Sequence, residues 1–177
     1  MDIFIGIDPG VSGAVAVLDG RSTILALDWT PTIKPAKKGS RREYVIADQV
    51  ALLRGWVPHP KVDPDEPRVV TRTIVALEKI HSMPAEGVAS SFKGGEGFGI
   101  WKGIITALGL PLELVTPQAW KKAMMAGMSG DKGKGASRIR AKELWPKAEL
   151  NLVKDHNKAD ALLIAEHMRR IHIGGLK

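Results

Sequence analysis

Apolar positions near the start of the chain fall into short alternating runs. Later they recur at helical spacing. Residues 3–7 form an apolar run that ends in Asp8-Pro9-Gly10, which is turn chemistry. Residues 14–18 read as a second strand closed by the hairpin turn Asp19-Gly20, and residues 22–29 as a third. Three short strands joined by tight turns predict an antiparallel meander. Residues 30–42 (TPTIKPAKKGSRR) carry two prolines, five basic groups and no acid, the pattern of a mobile loop. Residues 44–56 place Val45, Ala47, Val50, Leu52 and Leu53 on one helical face, and a proline-rich connection follows at 57–67. Residues 72–80 are rich in β-branched side chains and suit a central buried strand.

The Gly- and Ser-rich residues 84–97 read as a loop with at most a short helix, followed by a helix at 98–108 and a fifth strand at 112–115. Thr116-Pro117 is an N-cap followed by proline at the first helical position, so a helix opens there. Residues 127–135 hold four glycines and two lysines and read as a second mobile loop. Helices are expected at 136–144 and 157–171. A meander followed by alternating strands and helices predicts an α/β protein, one mixed sheet with helices on its faces, in a single domain over 1–177.

Composition narrows the function classes. The chain has 177 residues with no cysteine, so disulfide and zinc-thiolate frameworks are excluded. No uncharged apolar run reaches the roughly 18 residues of a transmembrane helix, and no leader segment is visible, so the expectation is a cytoplasmic protein with no membrane partner. Charge is more telling. Residues 1–90 hold 11 basic and 11 acidic groups, whereas 91–177 hold 15 and 8. Within 117–147 the count is 8 basic to 2 acidic, and Lys121, Lys122, Lys132 and Lys134 lie there. One basic region on a neutral body fits a polyanionic partner. A lysine-rich solvated surface is the plainer reading of the same numbers.

Four acids stand out by position. Asp8 ends the first strand, Glu78 lies in the apolar run TIVALEKI, Asp155 precedes the last helix, and Asp160 falls in its first turn. An acid in a buried strand costs several kcal/mol unless it is paired or binds a cation. Hard cations such as Mg2+ take carboxylate oxygens, and paired ions suit phosphodiester cleavage. Each acid alone also has an ordinary reading, as turn former, exposed edge residue or helix-start residue; the set favours chemistry. On one continuous helix Asp155 and Asp160 sit roughly 140° apart and do not share a site, whereas His156 and Asp160 share a face. If Asn157 caps the helix, Asp155 is free to join the site.

IGIDPGVSGAVAVLD, IVALEKIHSMP, LVTPQAWKKAM with SGDKGK, and KDHNKADALLIAEHMRR resemble, in order and spacing, the four catalytic blocks of RuvC-type Holliday junction resolvases. The likeness is to the phage and chloroplast branches and covers most of residues 1–171. The first block alone is weak, because Asp-Pro-Gly after a strand also opens actin-like folds. The resemblance implies a ribonuclease-H-like five-stranded mixed sheet flanked by helices. It also implies a homodimer that cuts two opposed strands of four-way junction DNA with Mg2+ or Mn2+. Carried over, it implies metal-site roles for Asp8, Glu78 and Asp160, with Asp155 as the fourth acid and His156 as its fallback. It places Lys121 and Lys132 near the scissile phosphate, with Lys122 and Lys134 beside them in the basic stretch. His81 stands where bacterial members carry a stacking aromatic, a departure from the pattern.

The residues of helix 98–108 (Phe98, Ile100, Trp101, Ile104, Ile105 and Leu108) form an apolar stripe wide for a helix on one sheet. The width fits a dimer contact, with a more deeply buried helix as the plainer alternative. Three rivals remain: an actin-like ATPase or sugar kinase, which needs two such domains; a non-catalytic junction-binding module; and a nuclease of the same fold acting on flaps, RNA or RNA–DNA hybrids.

Overall fold

The computed structural model of the chain describes residues 1–36, 39–58, 70–80, 87–128 and 135–174. Strands β1 (Asp2–Asp8), β2 (Ala14–Asp19) and β3 (Ile24–Trp29) form the expected meander. A small hairpin of β4 (Thr32–Ile33) and β5 (Glu43–Tyr44) leads into α1 (Ile46–Arg54). Next come β6 (Arg72–Glu78), α2 (Val88–Ala107), β7 (Leu112–Val115), α3 (Pro117–Met124), α4 (Ala136–Leu144) and α5 (His156–Ile173). The main sheet has five strands in the order β3-β2-β1-β6-β7. β1–β2 and β2–β3 are antiparallel, and β1–β6 and β6–β7 are parallel.

Two apolar layers sandwich this sheet. On one face Phe4, Ala14, Ala16, Ile74 and Ala76 meet α5, along with Trp120 and Met124 of α3 and Ala141 of α4. On the other face Ile3, Ile5, Ile7, Val75 and Leu77 meet Trp101, Ile104 and Ile105 of α2 and Leu53 of α1. The wide stripe of the 98–108 segment is thus largely consumed inside the chain: Trp101 and Ile105 are fully buried.

Two segments differ from expectation. The glycine-rich stretch before residue 98 is helical, because α2 starts at Val88. Glycine lowers helix propensity, but tertiary contact decides here. A Cβ at Gly97 would run into the Tyr44 hydroxyl and the Pro9 carbonyl, so this turn can only pack where it does without a side chain. The 30–42 segment, expected as a loop, contains β4, which pairs with β5 just after it, and Val45 N–H donates to the Pro31 carbonyl at 3.0 Å. Of the glycine-rich segment 127–135, residues 129–134 lie outside the described residues. Among the described residues no helix is long and apolar enough to cross a membrane.

Candidate active site

Side chains along a strand alternate between faces. Ile3, Ile5 and Ile7 of β1 point toward α2, so Phe4, Gly6 and Asp8 point toward α5. On β6, Val75 and Leu77 join the α2 side, which sends Ala76 and Glu78 to the α5 side. The parallel register pairs Ile7 with Leu77, so one step further on Asp8 stands beside Glu78 where both strands end. α5 closes on this edge because β1 offers no side chain at Gly6. A Cβ there would land on the Ala161 carbonyl and the Ala165 N–H of α5. Ala161 and Ala165 are themselves small and fully buried. Asn157 donates from Nδ2 to the Ser12 carbonyl at 2.6 Å, which ties the first turn of α5 to the loop after Asp8. Asp160, one turn on, therefore reaches the same corner.

The electrostatics agree. Burial, then the neighbouring Glu78, pushes the Asp8 carboxyl up to about 7, against a hydrogen bond from Gly10 N–H, 3.3 Å from Oδ1. Burial also raises Glu78, with Asp160 adding repulsion, while the Trp120 indole and Lys121 act the other way. Trp120 Nε1 donates to Glu78 Oε1 at 2.8 Å. Asp160 is raised by burial, opposed by a hydrogen bond from Ser137 and by the charges of Lys121 and His156. Its Oδ1 is buried without a hydrogen-bond partner among the described residues. Three acids thus crowd one desolvated corner, and Lys121 acts on all of them.

Asp155 and His156 part ways. A single 3-10 turn at Val153–Asp155 runs into α5, which begins at His156. The Asp155 carboxylate is buried and accepts the Leu152 N–H at 2.6 Å, so it closes that turn. His156 lies in the first turn of α5, close enough to Asp160 to act on its charge. Its Nδ1 lies 2.9 Å from the Val153 carbonyl. A carbonyl only accepts, so Nδ1 is the donor in this contact.

Lys121 and Lys122 are exposed in the last turn of α3, with Lys121 Nζ 5.1 Å from the Trp120 ring centre. Thr116 caps that helix, accepting from Ala119 N–H at 3.2 Å, as its sequence signature predicts. His81, Lys132 and Lys134 lie outside the described residues. Sequence reasoning passed over Trp120 and Ser137, which bond Glu78 and Asp160. A tryptophan at an otherwise polar helix start was the available signal for the first; Ser137 gave none. Asn157, expected as the helix cap, lies instead inside the first turn of α5 and bonds the Ser12 carbonyl. It also passed over Glu166, buried in α5. This acid bonds Arg169, Arg170 and Ser22 at 2.7–2.8 Å and ties α5 to the β2–β3 turn, away from the strand ends.

Can this corner hold a cation? The donors are hard carboxylate oxygens, one of them an orphan, in a place where three negative charges repel. That chemistry fits Mg2+ or Mn2+. Among the described residues no three such side chains are already drawn together at coordinating distance, as repulsion between carboxylates leads one to expect.

No protein-family model matches the chain, and neither does any curated protein. Solved structures do. "T. thermophilus RuvC in complex with Holliday junction substrate" aligns with a TM-score of 0.65 over 98% of this chain and 97% of that one, at 17% identity. "Thermus thermophilus RuvC structure" aligns at 0.56 over 97% and 96%, with 16% identity. At such identity the likeness speaks for architecture. With the mixed sheet, the parallel β1–β6 pair and helices on both faces, it makes the fold of this chain ribonuclease-H-like, in the form seen in RuvC.

Proposed function

We propose that the chain is a metal-dependent endonuclease that resolves four-way DNA junctions as a homodimer. The observation that carries this reading is the meeting of Asp8, Glu78 and Asp160, from three distant sequence blocks, in one buried corner beside Lys121. A purely structural or architectural protein gains nothing from that arrangement, which is costly while no cation neutralises it. The solved neighbour bound to a Holliday junction substrate supports junction DNA as the partner.

In this reading Asp8, Glu78 and Asp160 hold Mg2+ or Mn2+, which supplies charge neutralisation at the phosphate and a more acidic water. Trp120 fixes one oxygen of Glu78 and leaves the other for the site. Lys121 lies against the phosphate on the α3 side, with Lys122, Lys132 and Lys134 extending the basic surface. His156, near enough to Asp160 to act on its charge, is the fourth group, and Asp155 serves the helix start. His81 follows Glu78 closely in sequence, which suits a contact near the junction centre. The homodimer follows from the task, since two symmetric cuts need two sites related by a twofold axis.

The test is cleavage of a synthetic mobile four-way junction beside matched duplex, flap and RNA–DNA hybrid, with Mg2+ or with EDTA. Paired symmetric cuts in the junction alone, lost in EDTA, are expected. Preferred cutting of the hybrid or flap would reassign the substrate. No cutting of any substrate, with junction binding intact, would make the chain a binding module.

A further inference from the structure

We infer that the β4–β5 hairpin is a second DNA-binding surface, in which Arg41 and Arg42 hold backbone phosphates of an arm leaving the active corner. The inference rests on the nuclease reading above and adds to it a contact on the face opposite Lys121.

The placement comes from the fold. The carboxylates sit at the ends of β1 and β6, where the two helical layers meet. α3, with Lys121 and Lys122, belongs to the α5 side. The hairpin is fastened to the other side. Tyr44 of β5 brings its hydroxyl to the Pro9 carbonyl (3.4 Å) and the Lys93 carbonyl of α2 (3.2 Å). Burial holds this phenol up at about 12, with Glu96 and then Asp8 adding to the shift, so it stays a donor. Thr30 N–H donates to the Gly13 carbonyl at 2.9 Å at the hairpin's base. The hairpin is thus bonded to the same loop that follows Asp8.

Between them lies an open groove of about 450 Å³, lined by Gly10, Val11, Arg41, Arg42, Lys93 and Gly94. Gly10 is the residue whose N–H bonds Asp8, so the groove begins at the active corner. Its cations come from both halves of the chain, which is why a charge tally by halves hides it. Lys93 is paired with Glu96 at 2.7 Å. Among the described residues neither Arg41 nor Arg42 forms an ion pair, and Arg42 donates one hydrogen bond, to the Thr32 hydroxyl at 3.3 Å. Segment 30–42 has five basic groups and no acid. Arginine forks match phosphate oxygens, and such contacts position a duplex without reading its sequence. A strand crossing the carboxylates would then meet cations on both sides, Lys121 on one and the arginine pair on the other. An adjoining groove is lined by the same arginines with Glu43 and Glu96, and beside them Val88 and Phe92 are 88% and 76% exposed. A second copy of the chain is the competing occupant there.

The test uses the full chain and fluorescence anisotropy with a synthetic four-way junction across a salt series. R41A/R42A should weaken binding about 10-fold near 100 mM salt and reduce the slope of log K against log salt by about 1–2, the value for two lost phosphate contacts. R41K/R42K should keep most of the slope, and Lys102→Ala, on the far part of α2, should leave it unchanged. Thermal unfolding of R41A/R42A within 2 °C of the parent shows that the hairpin still packs. Unchanged affinity and slope in R41A/R42A would overturn the inference while leaving the nuclease reading intact. A parent chain that binds no DNA would end both. A lower sedimentation coefficient for R41A/R42A without DNA, with unchanged DNA affinity, would give the face to a second copy and overturn the inference as well.

Discussion

Trp120 and Glu78, 42 residues apart, share one hydrogen bond: the buried indole N–H meets Oε1 of a carboxylate at the end of a parallel strand, at 2.8 Å. The indole is fully buried, so Glu78 cannot turn away from it without leaving a donor unpaired. Trp120→Phe keeps an aromatic plug and removes the donor. It should weaken Mn2+ binding about 10-fold by calorimetry, the scale of one hydrogen bond to a charged group, and reduce cleavage at subsaturating ion. Unaltered Mn2+ affinity would show that the indole merely fills space.

Asp8→Asn and Glu78→Gln should each abolish cutting and leave junction affinity within about threefold, because binding rests on the basic surface. Gel assays with Mg2+ and with Ca2+ separate the two quantities. Wild-type cutting by either variant would remove that carboxylate from the site.

Stability without added ions should depend on pH with a definite sign. Asp8 is raised from an ordinary 3.8 to about 7, so the folded state holds its proton more tightly than the unfolded chain. The stabilisation is complete below pH 4 and is lost as pH rises toward 7. Melting temperature in EDTA should therefore fall across that window as far as Asp8 controls it, with Glu78 and Asp160 adding in the same direction. Asp8→Asn should flatten the fall, and Mn2+ should reverse it at pH 7. Glu166 has the opposite sign: burial alone would raise it, but its bonds to Arg169, Arg170 and Ser22 hold it below the usual carboxylate range. Glu166→Gln should cost about 2–3 kcal/mol near neutral pH, discounted because both arginines are partly exposed.

His156→Ala should lower cleavage more than Asp155→Ala, and the residual activity of Asp155→Ala should accompany a melting point lower by about 2–4 °C. Asp155 accepts the Leu152 N–H in the turn ahead of α5, and losing such an acceptor costs about 1 kcal/mol, whereas asparagine would keep one. Equal melting points with activity lost only in Asp155→Ala would reverse the roles.

Local signals carry much of the fold. The meander, the β7 boundaries, the Thr116 cap and the 136–144 helix follow from alternation, turn residues and capping. The three strand- and helix-borne acids are legible as a set because each breaks an apolar run. The extension of α2 to Val88 is not: three glycines argue against a helix locally, and the close approach of Gly97 to Tyr44 and Pro9 is a long-range contact. The orientation of Asp155 depends on whether a 3-10 turn precedes α5, a matter of one or two residues that spacing leaves open. The arginine groove needs the hairpin docked beside α2, a long-range fact with no local trace.

The Gly6 contact bears on when the carboxylate corner is completed. Asn157 and Ser12, 145 residues apart, and the Gly6–Ala161 packing bring the segment carrying Asp160 onto the first strand. Contacts of such separation close late in folding, after the local hairpins and helices have formed. A chain still being synthesised, with β1 to β7 made but α5 not yet emerged, has two of its acids and no Asp160. On the nuclease reading the chain is thereby inert toward DNA until residues 156–160 have been made, and a truncation before residue 156 should yield a product that still carries basic surface but never cuts.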